Sequence, residues 1–289
     1  MQIMEVTISN KLYFRQLKGY YFILPIVCVF VFLLISCSGK TRNAKTYLAE
    51  AEVALNEGNY PLAKLKIDSI KVLFPKSFDE INKGFELMQQ IRMAENRRNI
   101  IYCDSMLTVN YELLTNMLNG FTYVRDPQYQ EFGDYVPKIY PLNTSFNQNG
   151  LRSAVSEKGQ MYIESVLAGG SLRHNRIKVA IKDGSFAESL PVTTDGLNYR
   201  FSTLNTTYEI VRFSGNDDNG VAKFIYTFKE SPITLSFIGN RTTTITLSET
   251  AKKAIARSFE LSTLLLDIEK LKYEKGRSEA LIKYLESKR

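Results

Sequence analysis

Cys37 stands directly behind Tyr20–Ser36 (YYFILPIVCVFVFLLIS), a run without a single charged residue. A thiol in that place is suited to receiving a lipid, because the apolar run carries it to a bilayer. Of the other two cysteines, Cys28 lies inside the run, so a processed chain acylated at Cys37 keeps Cys103 alone and can close no intramolecular disulfide. Cys103 has apolar neighbours at helical spacing, the setting of a buried bystander rather than a reactive thiol. His174 is the single histidine. A catalytic zinc normally draws two or three histidines, and neither HExxH nor paired cysteines occur. A serine hydrolase would have only His174 as base, and the G-x-S-x-G elbow is missing. We therefore expect no catalytic residue, no metal ligand and no cofactor. His174 follows Gly169-Gly170 at the mouth of a strand, where a structural or surface place is expected, with a ligand contact and then a catalytic role as the alternatives. Asp217-Asp218 forms a tight acidic turn with too few oxygen ligands at fixed spacing for calcium. Tyrosine faces stack on sugar rings, which makes Tyr199 and Tyr208 candidate ligand contacts, although the chain has no tryptophan.

The elements that position Cys37 are an export signal over residues 1–36, with Lys11, Arg15 and Lys18 ahead of the apolar run. A spanning anchor is the competing reading, since 17 helical residues rise about 25 Å and approach the hydrocarbon thickness. The ending decides between them. Leu34-Ile35-Ser36-Cys37 resembles the bacterial lipobox, whose cysteine receives a diacylglyceryl thioether, becomes the new N-terminus and is then N-acylated. Ser38-Gly39-Lys40-Thr41 puts no aspartate beside the cysteine, which resembles lipoproteins forwarded to the outer membrane. It also lacks the acidic cluster that, in Bacteroidetes lipoproteins, accompanies display outside the cell. The expected location is the periplasmic face of the outer membrane, with the lipid bilayer as the first partner.

Behind the signal, residues 37–76 read as a helical hairpin. Tyr47, Ala51 and Ala54 precede Gly58-Asn59-Tyr60, and Ala63, Ile67 and Ile70 follow, ending at Pro75. Small residues let two helices approach, Gly58 permits the turn and Pro75 stops the second helix. The pattern resembles one tetratricopeptide repeat, from which Glu50 departs by standing where an apolar residue is commoner. Residues 77–120 carry a second helical period through Phe78, Ile81, Phe85, Met88, Ile91, Ile100, Cys103, Leu107, Leu114 and Met117. The polar stretch 95–99 interrupts it, as a bend or a solvated middle. Residues 248–289 begin with Ser248 as N-cap and Glu249 in the first turn. Leu261, Leu264, Ile268, Leu271, Ile282 and Leu285 continue at alternating spacings of three and four. Two such stripes of about 40 residues invite an antiparallel pair, 248–289 against 77–120.

Between them, residues 121–247 change to strand period. Strands are expected at 159–168, 177–181, 197–201, 208–213, 221–228, 233–237 and 242–247, broken at Asp183-Gly184, Asp195-Gly196, 215–220 and Ser231-Pro232. Residues 121–158 read as an irregular lead-in. The expected class is α+β, with a helical hairpin and two long helices flanking an antiparallel β-sandwich or small barrel.

Composition narrows the function. The chain has 289 residues and a formal charge of +7, which falls to +5 without residues 1–36, a modest balance that argues against an obligate nucleic-acid binder. The lipobox, the helical N-terminus and the stretch Arg173–Val179 followed by Asp183-Gly184 resemble envelope lipoproteins of gut and oral Bacteroidetes. Asp68-Ser69-Ile70 and Asp104-Ser105-Met106 resemble the periplasmic O-glycosylation motif of that phylum, which makes Ser69 and Ser105 candidate acceptors. Asn143, Asn205 and Asn240 begin Asn-x-Ser/Thr triplets that a bacterial lipoprotein would rarely use. A lipid-anchored, non-enzymatic adaptor or structural component of an envelope complex, with a protein partner, is the leading expectation. A glycan or peptidoglycan binder is the second, and an envelope enzyme the third.

Overall fold

The computed structural model describes residues 43–142, 148–169, 171–193, 198–203 and 206–288. Cys37, the signal segment, Asn143, Asn205 and the Asp195-Gly196 break lie outside the described residues. No helix of the described residues is long and apolar enough to cross a membrane. The chain divides into two compact units at Glu95/Asn96.

The first unit opens with α1 (Ala44–Asn56), capped by Asn43, whose side chain accepts the Thr46 N–H. After Gly58 at φ +72°, α2 (Tyr60–Leu73) starts behind an Asn59 cap. The next helix, α3 (Phe78–Leu118), begins here and continues without a break through 95–99 into the second unit. Ala51, Ala54 and Ala63 are buried together with Tyr60, Ile67, Leu87 and Ile91. Alanines at the seam let the backbones close in while the isoleucines fill the space above. Glu50 is 2.5 Å from Lys66 on the facing helix, so an ion pair stands where an apolar contact would otherwise lie.

The second unit holds two antiparallel sheets. The larger has the order β1 (Phe121–Val124), β2 (Asp134–Pro137), β3 (Gly150–Ser156), β4 (Met161–Ala168), β8 (Thr206–Ser214), β7 (Asn198–Thr203). The smaller runs β10 (Thr242–Thr246), β9 (Thr234–Ile238), β5 (Arg176–Ala180), β6 (Phe186–Glu188). Leu151, Ile163, Leu167, Val211 and Phe213 of the larger sheet meet Ile177, Val179, Leu235 and Phe237 of the smaller in one core. The short helix α4 (Val221–Thr227) and the start of α5 (Glu249–Glu286) complete it. Mixed helix and antiparallel sheet is the α+β class expected.

Two elements differ from the sequence reading. Residues 221–227 form a helix, not a strand. Gly220 at φ +87° turns the chain, and the Asp218 carboxylate accepts the Gly220 and Ala222 N–H groups that open the turn. Val221, Ala222 and Ile225 then face the core, and Phe224 and Phe228 touch at 4.7 Å. Residues 121–158 are not irregular but supply β1, β2 and β3. In β3, Arg152 and Ser153 are buried beside Leu151 and Ala154, so polar residues occupy both faces and erase the period-two signal.

Within the second unit, α5 lies along the 96–118 part of α3. Lys275 bonds Asp104 at 2.7 Å, Asn99 bonds Ser278 at 2.9 Å, and Arg97 is 3.6 Å from Glu286. Nearer the sheet, Leu114, Met117 and Leu118 pack with Leu261, Leu265, Phe121 and Val155. Sequence numbers rise along one helix as they fall along the other, which is the antiparallel sense. Lys275 and Ser278 read as interruptions of an apolar stripe, and both make polar contacts across this pair. Cys103 is buried, and burial pushes its thiol pKa up.

Leu261 is fully buried while Leu266 is 49% exposed. Leu261→Ala should cost about 2–5 kcal/mol and Leu266→Ala less than about 1 kcal/mol, as read by urea unfolding monitored at 222 nm. Equal losses would contradict the helix orientation described.

Candidate functional site

The strand pattern puts charged residues on both faces of the larger sheet, and each face gathers them differently. On the face turned to the smaller sheet, β4 carries Ile163, Ser165 and Leu167 in succession, opposite Phe213, Val211 and Glu209 of β8. Ser165 and Glu209 are therefore polar positions in an apolar row. His174 enters between them from the segment ahead of β5. Ser165 Oγ is 2.7 Å from His174 Nε2, and His174 Nδ1 is 2.7 Å from Glu209 Oε2. The Arg173 and His174 N–H groups donate to the two Glu209 oxygens at 2.7 and 2.9 Å. Arg173 accepts a positive φ of 51° to do so. Gly239 lets this segment pass, because a Cβ there would stand 2.4 Å from the Leu172 carbonyl oxygen. Phe237 presents its ring edge-on to the imidazole at 5.3 Å.

Burial pushes the His174 imidazole below its ordinary 6.5, and the Glu209 hydrogen bond offsets part of that. Burial acts on Glu209 in the upward direction, but the two backbone N–H groups and the imidazole outweigh it and hold the carboxyl below 4.5. A neutral imidazole beside a carboxylate donates from Nδ1 and accepts the Ser165 hydroxyl at Nε2. Those are the order and tautomer of a serine hydrolase row. The setting is different. Ser165, His174 and Glu209 are all 0% exposed. The backbone donors beside them are already given to Glu209, leaving none of that pair for an oxyanion. The row ties β4 and β8 of one sheet to the segment that begins the other.

The opposite face of the larger sheet is built differently. Arg152, Glu164 and Arg212 stand directly across from one another on β3, β4 and β8. Arg152 donates to one Glu164 oxygen at 3.0 Å and to the Leu142 carbonyl, while Arg212 donates to the other Glu164 oxygen through Nε and Nη2 at 3.1 and 2.8 Å. The Arg212 guanidinium lies 3.9 Å over the Tyr162 ring, and the Tyr162 hydroxyl donates to Asp134. Burial raises the Tyr162 pKa. Beyond this charged row, Tyr199, Phe201 and Tyr208 form a stacked series with centroids 6.4 and 5.0 Å apart. On the other side of it a pocket of about 400 Å³ is lined by Thr122, Val124, Gln130, Asp134, Val136, Pro137, Pro141 and Leu142.

The sequence-derived site residues thus separate. Tyr199, 44% exposed, and Tyr208, nearly buried, are joined on one face through Phe201. His174 lies behind the other face and is fully buried. Ser69 donates to the Leu65 carbonyl within α2, and Ser105 is exposed on α3. Sequence reasoning missed Ser165, Glu209 and the Arg152–Glu164–Arg212 row. Parity was the available signal: Glu209 shares its parity with Val211 and Phe213, and Ser165 with Ile163 and Leu167, so both had to point inward.

Comparison with models of protein families, with curated proteins and with solved structures found no match.

Both His174 and Glu209 bind fewer protons folded than unfolded, so their contribution is complete above about pH 6.5 and declines as pH falls below it. Thermal unfolding between pH 7.5 and 5 should show Tm falling with pH. His174→Ala should lose about 3–5 kcal/mol at pH 7 by removing one donor from Glu209 and leaving a cavity, and should flatten the slope just below pH 6.5. An unchanged slope in that variant would exclude His174 as its source.

Proposed function

We propose that this chain is a lipid-anchored, non-enzymatic component of a bacterial cell envelope that binds a partner. The observation that carries the reading is Leu34-Ile35-Ser36-Cys37 at the end of a charge-free run, with basic residues ahead of it. Acylation at Cys37 would hold the folded units at a membrane without a spanning helix, each buried CH₂ contributing about 0.8 kcal/mol. The periplasmic face of the outer membrane is the proposed location, from the residues that follow the cysteine. A binding role is supported by the way the one row with catalytic order among the described residues is committed to packing, with its hydroxyl, imidazole and carboxylate all inside the core.

A second reading, recognition of a glycan or peptidoglycan, is favoured by one arrangement. Tyr199 and Phe201 alternate on edge strand β7, next to the buried Arg152–Glu164–Arg212 row on the same face. An aromatic surface bordered by fixed charges can stack a sugar ring and bond its hydroxyls.

Mass spectrometry of the native protein should find residue 37 as the N-terminus carrying a lipid mass, and Cys37→Ala should leave an uncleaved or mislocalised chain. An unmodified N-terminus would defeat the anchor. Affinity capture from native membranes should recover a protein at fixed stoichiometry. Saturable binding of purified peptidoglycan or polysaccharide by the full chain, with no protein present and weakened about tenfold or more by Tyr199→Ala, would move the assignment to the second reading.

A further inference from the structure

The end of the first unit nearest Cys37 along the chain carries an apolar patch. Helix α1 begins at Ala44, and α2 returns to the same end, where the Tyr47 and Phe74 rings meet at 5.7 Å. The turn into α3 lies at that end as well. There Val72 is 77% exposed, Leu73 54% and Phe78 70%. These are the last turn of α2 and the first residue of α3, so the three are close in the chain and share one end of the unit. The opposite end, the turn Glu57–Asn59, lies one helix length away, about 20 Å for α1.

Only Ser38–Asn43 separates Cys37 from α1, a stretch that spans at most about 20–25 Å when fully extended. An acylated Cys37 therefore keeps Ala44 within that distance of the bilayer, and the Val72–Phe78 turn lies at the same end of the unit. Charge points the same way. Lys40 and Arg42 lie in the connecting stretch, and Lys45 and Lys76 are exposed at this end. Lys71 sits 4.3 Å over the Phe85 ring and 4.0 Å from Asp68. The acidic groups here are Asp68, already beside Lys71, and Asp79 and Glu80, which occupy the first turn of α3 where the helix dipole favours them. Exposed aliphatic and aromatic side chains ringed by lysines match the boundary between acyl chains and anionic headgroups.

We infer that this end of the hairpin docks on the lipid bilayer, with Val72, Leu73 and Phe78 in the interfacial layer and Lys45 and Lys76 toward the headgroups. The inference rests on acylation of Cys37. It adds a second membrane contact, so that the first unit lies against the bilayer by a defined end rather than swinging on its tether.

The chain contains no tryptophan, so one introduced indole reports a single place. Phe78→Trp at the tethered end and Glu57→Trp at the far turn are made in the acylated full-length protein. Each is mixed with vesicles of seven parts phosphatidylcholine to three of phosphatidylglycerol, with and without brominated acyl chains. The Phe78→Trp indole should shift to the blue and lose about half or more of its emission to bromolipid, while the Glu57→Trp indole should do neither. Adding Val72→Ser and Leu73→Ser should reduce the quenching while flotation with the vesicles persists. A protein that floats with its Phe78→Trp indole unquenched would overturn the docking and leave the anchor standing. An unmodified Cys37 and no flotation would defeat the anchor and the docking together. A blue shift that grows with protein concentration in the absence of vesicles would place a second copy on the patch and also overturn the inference.

Discussion

The Glu209 carboxylate sits in the middle of an apolar sandwich, and much of the second unit is arranged to keep it charged. A bare carboxylate there would be far too costly to ionise, so it must be met by donors from more than one direction. Backbone N–H groups of Arg173 and His174 supply two, the imidazole supplies a third, and Arg200 approaches to 3.7 Å from the neighbouring strand. These demands fix the path of residues 172–174, including the left-handed turn at Arg173 and the need for glycine at 239. The two sheets are thereby held in one register by polar contacts as well as by shape. An all-apolar core of the same volume would pack as tightly but would leave that register less sharply defined.

The opposite face solves the same problem with side chains alone. Glu164 is nearly buried between two arginines that lie directly opposite it on the adjacent strands. Each carboxylate oxygen has its own guanidinium, and one guanidinium is further stacked on Tyr162. Three central strands are thus bridged by charge on this face, while the other sets the Ser165–His174–Glu209 row within apolar contacts. The margins of the charged face hold the aromatic series on β7 and β8 and the pocket beside β1 and β2.

The helices follow a different rule. In the first unit alanines at the seam decide the fit. Along α3 and α5 the seam changes character, apolar near the sheet at Leu114 and Leu261, polar farther out at Asp104, Lys275, Asn99 and Ser278. Exposed ion pairs contribute little stability, so the outer part of this pair depends on the apolar contacts nearer the sheet and on the continuity of each helix.

What the sequence determined alone was whatever depends on neighbours within a few positions. Asn59, Gly58 and Ser248 mark helix ends because caps and turns are local. The long helices show because their period persists over dozens of residues, and the strand-rich middle shows because β-branched and aromatic residues alternate there. The α+β class follows from those segments. The tertiary structure decided everything that needed partners far along the chain. Residues 221–227 have a pattern that suits strand or helix, and Asp218 with Gly220 tipped them to helix. Gly150–Ser156 looked irregular because its arginine and serines have meaning only beside Glu164 and Ser258. Ser165, His174 and Glu209 are separated by 9 and 35 positions, and only the pairing of β4 with β8 brings them within hydrogen-bond reach. Single positions announce such a network weakly, since each is one polar residue in an apolar row. Its physical basis is a desolvated charge that must find donors wherever the fold brings them, and that requirement has no period for a sequence to display.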